Sequence, residues 1–381
     1  MKPFLSPVLV TIGLLGVAGR EVARQEPRSL SAPFTLCAGG DVTLGTNLDP
    51  KWARYAADTL RSVYGLRPHP DSLATSLAPF LAGAQVVLLN VEGAIGTGPA
   101  PQKCGPRSQN CFAFRQPTTA ARALRHLADS SVAVVGNIAN NHSRDAGDAG
   151  RDSTIAHLEE AGVLVTGGDT IATAVPLPSG DTIGVLGFHT DSMTPDARDL
   201  AAVRRHVARA VATYGTVIVT MHLGAEGPTA QRTRNAVERF LKGNRGNPVG
   251  FANAAFDAGA TLVVGHGPHV LRAAEWRGDR LALYSLGNLL TYGPFKLREP
   301  TDRGVVACVT IDSARHVAAA ELRPTMQKWP GVLEADSSKR AWRLIDSLSA
   351  LDFPRTGVRV DSLGRLIKRH GTRGTKPVHD S

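Results

Sequence analysis

Five short apolar runs constrain this chain most, because each stops abruptly in a polar cluster. They are FTLCAGGD (34–41), QVVLLNVE (85–92), VAVVGNIANNH (132–142), TVIVTMH (216–222) and TLVVGH (261–266). Each has the length and the Val/Ile/Leu content of a strand buried on both faces. A carboxylate, amide or imidazole at the end of such a strand is costly unless something there needs it.

The segments between the runs read as helices. Leu73, Leu77 and Phe80 follow a cap at Asp71; Ala121, Leu124 and Leu127 share a face over 118–129. Ile155, Leu158 and Ala161 mark a helix closed by Gly162, and Leu200, Val203, Val207 and Val211 mark one over 197–214. Strands alternating with helices predict an α/β fold. Past residue 270 the pattern changes: a hairpin is expected around Gly278-Asp279, then two strands at 304–312 and 316–323 with no helix between them. Residues 332–381 are basic and weakly periodic, and predict a helix near 339–349 and a loose extension beyond it.

Lys2 precedes an apolar run from Phe4 to Ala18, and Arg20 and Arg24 follow it. The run is short for a membrane span and suits a signal peptide over residues 1–19, or an uncleaved signal anchor, with a linker at 20–33. The bulk of the chain is then exported, to the periplasm or the extracellular side, or stays tethered to the membrane by that segment. Cys104 and Cys111 flank a turn-rich loop, CGPRSQNC, and are expected to form a disulfide clamp. Cys37 and Cys308 lie inside apolar runs and read as buried thiols. The net charge of +10 is spread along the chain, without a dense basic block interleaved with aromatics. That argues against nucleic acid; it either suits an anionic polymer or membrane surface or reflects composition alone.

In open α/β sheets ligands bind beyond the carboxyl ends of the strands. Here those ends deliver Asp41, Asn90 with Glu92, Asn141 with His142, His222, and His266 with His269. Carboxylates, amide oxygens and imidazoles together suit a borderline divalent ion such as Mn, Fe or Zn. Each residue alone has an ordinary reading: a turn aspartate, a capped histidine, an Asx-turn opening a helix, or, for Asn141-His142-Ser143, a glycosylation sequon. Five strands ending alike are harder to obtain from turn chemistry. GxSxG, HExxH, Walker GxxxxGK[ST] and CxxC motifs are missing, and no GxGxxG follows the first strand.

The ordered motifs GGDVTLG (39–45), LNVEG (89–93), FRQP (114–117), ANNHSRDAG (139–147), MHLGAEG (221–227), GHGPHVL (265–271) and YSLGN (284–288) resemble the CapA type of bacterial capsule proteins, within the calcineurin-like metallophosphatase superfamily. The resemblance implies a metallophosphatase-like four-layer sandwich, two mixed β-sheets flanked by helices, over residues 34–325, with a basic C-terminal extension at 326–381. It implies one or two divalent ions held by Asp41, Glu92, Asn141, His222, His266 and His269, with His142 as general acid or as the phosphate-facing histidine. Asp145 either orients His142 or caps the next helix, and Glu226 faces a substrate or an arginine. Asp41-Val42-Thr43 stands where the wider superfamily has Asp-x-His, Glu92 where Asp is usual, and Gly267 where many relatives have a second histidine. The function implied is a cell-envelope metal-dependent hydrolase-like enzyme acting on poly-γ-glutamate, another anionic envelope polymer or a peptide, alongside membrane-bound capsule-synthesis partners. The alternatives are a non-catalytic polymer-binding or export factor and a metal-dependent peptide epimerase.

Overall fold

The structure is a computed structural model that describes residues 29–45, 50–97, 112–191, 195–293 and 297–369. The expected leader at 1–19, most of the linker, and the Cys104–Cys111 clamp lie outside the described residues.

Two mixed sheets lie face to face. The first has eight strands, in the order Val332–Ala335, Val317–Lys328, Arg303–Ile311, Phe34–Thr43, Val86–Val91, Ala133–Asn137, Leu164–Thr166, with Asn288–Thr291 paired to Phe34–Thr43 beyond a register shift after Asp41. The second has six: Ala274–Arg277, Arg280–Leu283, Leu262–His266, Val217–His222, Thr182–His189 and Thr173–Pro176. In the first, a parallel block that ends at the edge strand Leu164–Thr166 is followed by antiparallel strands on the other side; in the second, a central parallel block is flanked by antiparallel edges.

Strand alternation sorts the side chains into layers. Leu36, Ala38, Val86 and Leu88 point inward and meet Val185, Ile218, Leu262 and Val264 of the second sheet. Their neighbours Val87, Leu89 and Val91 point outward against Leu60, Leu73, Leu77, Leu124 and Leu158 of the helical layer. On the far side, Val219 and Val263 pack under Val203 and Val207 of the helix Leu200–Tyr214 and Phe251 and Ala255 of the helix Pro248–Asp257. Helices, sheet, sheet, helices is the expected four-layer sandwich. Among the described residues no helix is long and apolar enough to cross a membrane.

Three expectations are corrected. Cys37 and Cys308 are not thiols: they form a disulfide, although 271 positions separate them in the chain. They are register partners on antiparallel strands with Cα atoms 4.0 Å apart, the narrow kind of pair that brings side chains together. The helix of the C-terminal segment runs Arg340–Asp352, and the chain beyond it is not loose as far as Arg369: Ala341, Ile345, Val358 and Leu366 enter the core between the sheets. Asp71 does not cap its helix; the His69 side chain accepts from the Asp71 amide, which places Asp71 in the first turn of Pro70–Ala74.

Candidate metal centre

The register of the two parallel blocks builds two rows of polar side chains. In the first sheet Asp41, Asn90 and Asn137 are side-by-side partners on three adjacent strands. In the second, His189, His222 and His266 occupy the same position on three adjacent strands. Both rows mark carboxyl ends, and they meet where the Asn90 amide nitrogen lies 3.2 Å from His222 Nδ1.

The first row is tied down by its own hydrogen bonds. Asn90 Nδ2 donates to Asp41 Oδ1 at 2.8 Å, and Asn90 Oδ1 accepts from Asn137 at 3.0 Å and from Asn140 at 3.2 Å. Asn140 also donates to the Val91 carbonyl and accepts from the His142 amide. Three of the asparagines that crowd this sheet end therefore form one satisfied network that holds Asp41 and starts the loop to His142.

The second row and Glu92 are the reverse. His142, His222 and His269 each bring Nε2 to 3.9, 3.8 and 3.7 Å from Glu92 Oε1, and His266 Nδ1 is 3.8 Å from Asp41 Oδ1. These separations are too long for hydrogen bonds. Two ligands on one ion at bond lengths near 2.0–2.3 Å stand about 3–4 Å apart, which is what is seen here. Glu92 Oε1, His222 Nε2 and both ring nitrogens of His266 are buried without a hydrogen bond, while Asp41 Oδ2 has His269 Nδ1 beside it at 3.1 Å. An orphaned buried polar atom costs roughly 1–3 kcal/mol, so several facing one another fit a cation between them. Asp41, Glu92 and His269 bring ligand atoms within 4.8 Å of one another.

His269 is the best prepared. Its Nδ1 lies 3.0 Å from Asn288 Oδ1, and Asn288 Nδ2 donates to the Thr301 carbonyl, which fixes the amide and leaves His269 Nε2 for a metal. Its backbone holds φ of 58°, a left-handed conformation uncommon outside glycine. His222 is less ready: in this amide orientation Nδ1 accepts from Asn90, so its proton sits on Nε2 and must move before Nε2 can ligate. Gly267 is explained by close approach: at φ of 103°, a Cβ there would stand 3.0 Å from the His222 ring.

Burial sets the protonation states. It pushes His266 down to about 4, and, with Arg245, His189 down to about 3. His222 falls well below the usual imidazole range through burial and then its neighbour His189. Glu92 rises well above the carboxylate range through burial and the charge of Asp41. Burial would also raise Asp41, but the hydrogen bond and charge of His269 hold it low. Burial would lower His269, and the carboxylates of Glu92 and Asp41 outweigh it and hold it well above the usual range. A negative pocket thus keeps a proton that a metal ion would replace.

His142 stands at the edge of this cluster. Its Nδ1 is 2.6 Å from Asp145 Oδ2, which also accepts from the Phe114 amide at 2.6 Å. The N-cap of the helix Gly147–Glu160 is Ala146, which offers no capping side chain, and Asp145 beside it bonds the imidazole. Asn141 precedes His142 with its amide oxygen buried. Glu226 pairs with Arg245 at 2.6 Å, on the wall of a cavity that opens over His142 and His269.

Sequence reasoning missed three contributors. His189 ends the run TIGVLGFH (182–189), the same grammar as the other five, and its Nδ1 lies 2.9 Å from the His222 carbonyl. Asn288 sits in a motif of no legible chemistry, yet it orients His269. Arg272, fully buried, pairs with Glu238 at 2.9 and 2.8 Å, and both bond Ala225 in the loop after His222; nothing local in the sequence marks that pair.

Comparison with known proteins follows the same lines. The chain is 28% identical over 175 residues, 40% of its length, to the capsule biosynthesis protein CapA of Bacillus anthracis. It is 28% identical over 190 residues, 45% of its length, to the PGA biosynthesis protein CapA of Bacillus subtilis strain 168. These matches take in 39% and 46% of the relatives, so the chain spans less than half the length of either. Among solved structures it is similar to a 5'-nucleotidase precursor from Thermus thermophilus, with a TM-score of 0.38 and 14% identity, covering 85% of this chain and 59% of that one. The profile of the bacterial capsule synthesis protein family PGA_cap matches residues 35–292, which include all the side chains of the cluster described above. This chain belongs to the bacterial capsule synthesis protein family PGA_cap.

Proposed function

We propose that this chain is a metal-dependent, hydrolase-like enzyme of the cell envelope, acting on poly-γ-glutamate or a related envelope polymer or peptide. One observation carries the reading: Glu92 Oε1 is buried, ringed by three imidazole nitrogens at 3.7–3.9 Å, and hydrogen-bonded to none. Asp41, Glu92, His266 and His269 would hold the ion, joined by Asn141 and by His222 after its proton moves. When bound, a divalent ion supplies Lewis-acid polarisation of a carbonyl or phosphoryl oxygen. The chain supplies the rest. Asp145 holds His142 by Nδ1, which aims Nε2 at the cluster, where it can deliver a proton to a leaving group or take one from water. Asn90 fixes Asp41, and Asn288 fixes His269. The capsule-related names of the relatives and the Cys37–Cys308 disulfide support an exported, envelope-associated protein working beside membrane-bound partners.

A non-catalytic polymer-binding or export role is favoured by one feature. Thr43 stands where the wider superfamily has a ligand histidine, and its hydroxyl donates to the Glu92 carbonyl at 2.8 Å, so that position is structural. Elemental analysis of purified protein after exposure to Mn, Zn and Fe separates the two. About one transition-metal ion per chain, lost in Glu92→Ala, is the expected result; wild type that retains no more metal than the variant would leave the binding role standing and overturn the enzyme reading.

A further inference from the structure

The cavity over His142 and His269 has a volume of ≈ 300 Å³. Its chemistry is unlike that of the cluster beneath it. Phe112, Phe114, Phe240 and Leu297 line it. The Phe114 ring lies 4.3 Å from the His142 imidazole and 6.3 Å from the Phe112 ring, so one aromatic surface runs from the expected proton donor to the mouth. Among the described lining residues outside the cluster, charged side chains are few. Arg298 is the one arginine or lysine among the described lining residues, and Glu226, already paired with Arg245, is the one carboxylate. A polyanion gains little from such a wall, and its repeating charges would lose solvation against phenyl rings. An aromatic or apolar group gains contact area and ring stacking. A dry cavity of about 150 Å³ is enough for a benzene ring, so this one takes a ring together with the atoms that link it to the reacting group.

We infer that this cavity is a subsite for an uncharged apolar or aromatic substituent, attached to the carbonyl or oxyanion group that meets the Asp41–Glu92–His269 cluster. Phe112, Phe114 and Phe240 set the selectivity. The inference rests on the metal-dependent reading above and narrows it: the unit seated beside the reacting bond is neutral, which favours a related envelope polymer or peptide over poly-γ-glutamate, whose every unit carries a carboxylate.

The test is calorimetric binding of methylphosphonate and phenylphosphonate to the full chain, manganese-loaded and metal-free. Both phosphonates should bind only when manganese is present, and phenylphosphonate about tenfold or more tighter, as expected for burying one ring. In Phe112→Ala/Phe240→Ala the phenyl-to-methyl ratio should fall towards one. Equal affinities in the manganese-loaded wild type, with both still manganese-dependent, would overturn the subsite alone. Phosphonate binding that is absent or indifferent to manganese would overturn the metal-dependent reading and the subsite with it. The wild-type comparison stands even where the variant fails to fold.

Discussion

The two rows at the sheet ends occupy equivalent places and are built on opposite principles. Asp41, Asn90 and Asn137 bond to one another and to the loop beyond, and Asp41 Oδ2 faces His269 Nδ1 at 3.1 Å. His222 and His266, in the facing row, keep ring nitrogens with no hydrogen bond. The difference shows how a buried site can be both rigid and reactive. One wall is made stiff by satisfying its polar groups, and the other is left unsatisfied so that a ligand completes it. The first sheet is also stapled by Cys37–Cys308 on the strand that carries Asp41, whereas the second has no disulfide among the described residues.

The largest expected effect comes from removing the proton carrier while leaving both rows intact. His142→Ala should keep its metal and lose about 10²–10⁴ in turnover. Parallel elemental analysis and rate measurement check this; loss of metal equal to that in His266→Ala would make His142 a ligand instead. Next is the staple. Cys37→Ala/Cys308→Ala should lose roughly 2–5 kcal/mol of stability, because the bridge closes a long loop in the unfolded chain. Urea denaturation reads it out, and an unmoved midpoint would show that the packed sheet needs no covalent help.

The junction between the rows comes third. Asn90→Ala removes the bond to Asp41 and the contact with His222, and should weaken metal binding by about 10–100-fold. Competition with a chromophoric chelator measures this; unchanged affinity would mean that the rows hold themselves. The smallest effect is one of pH. Glu92 and His269 face each other and both have raised pKa values in the metal-free protein, so the pair holds a proton that must leave before both can ligate. Metal affinity should therefore rise with pH, by about tenfold per unit where one proton is displaced. Binding enthalpy should vary with the ionisation enthalpy of the buffer, and a heat independent of the buffer would show that no proton is released.

What the sequence determined by itself was local. Runs such as QVVLLNVE and TLVVGH declare buried strands and name Glu92 and His266 as their costly last residues, because period and composition are properties of neighbours in the chain. Asp145 three residues after His142 was likewise within reach of a sequence reading, since a short loop must keep them close. What only the tertiary structure decided depends on register and on contact across distance. That Asp41 stands beside Asn90, and His189 beside His222, follows from how separate strands align, and a slip of one residue would have turned those side chains to the other face. Cys37 meets Cys308 for the same reason, across 271 positions. Arg272 finds Glu238 only because two loops fold over the same strand end. Whether an imidazole is held, as His269 is by Asn288, or left open, as His266 is, depends on which distant group packs against it, and no window of the chain contains that information.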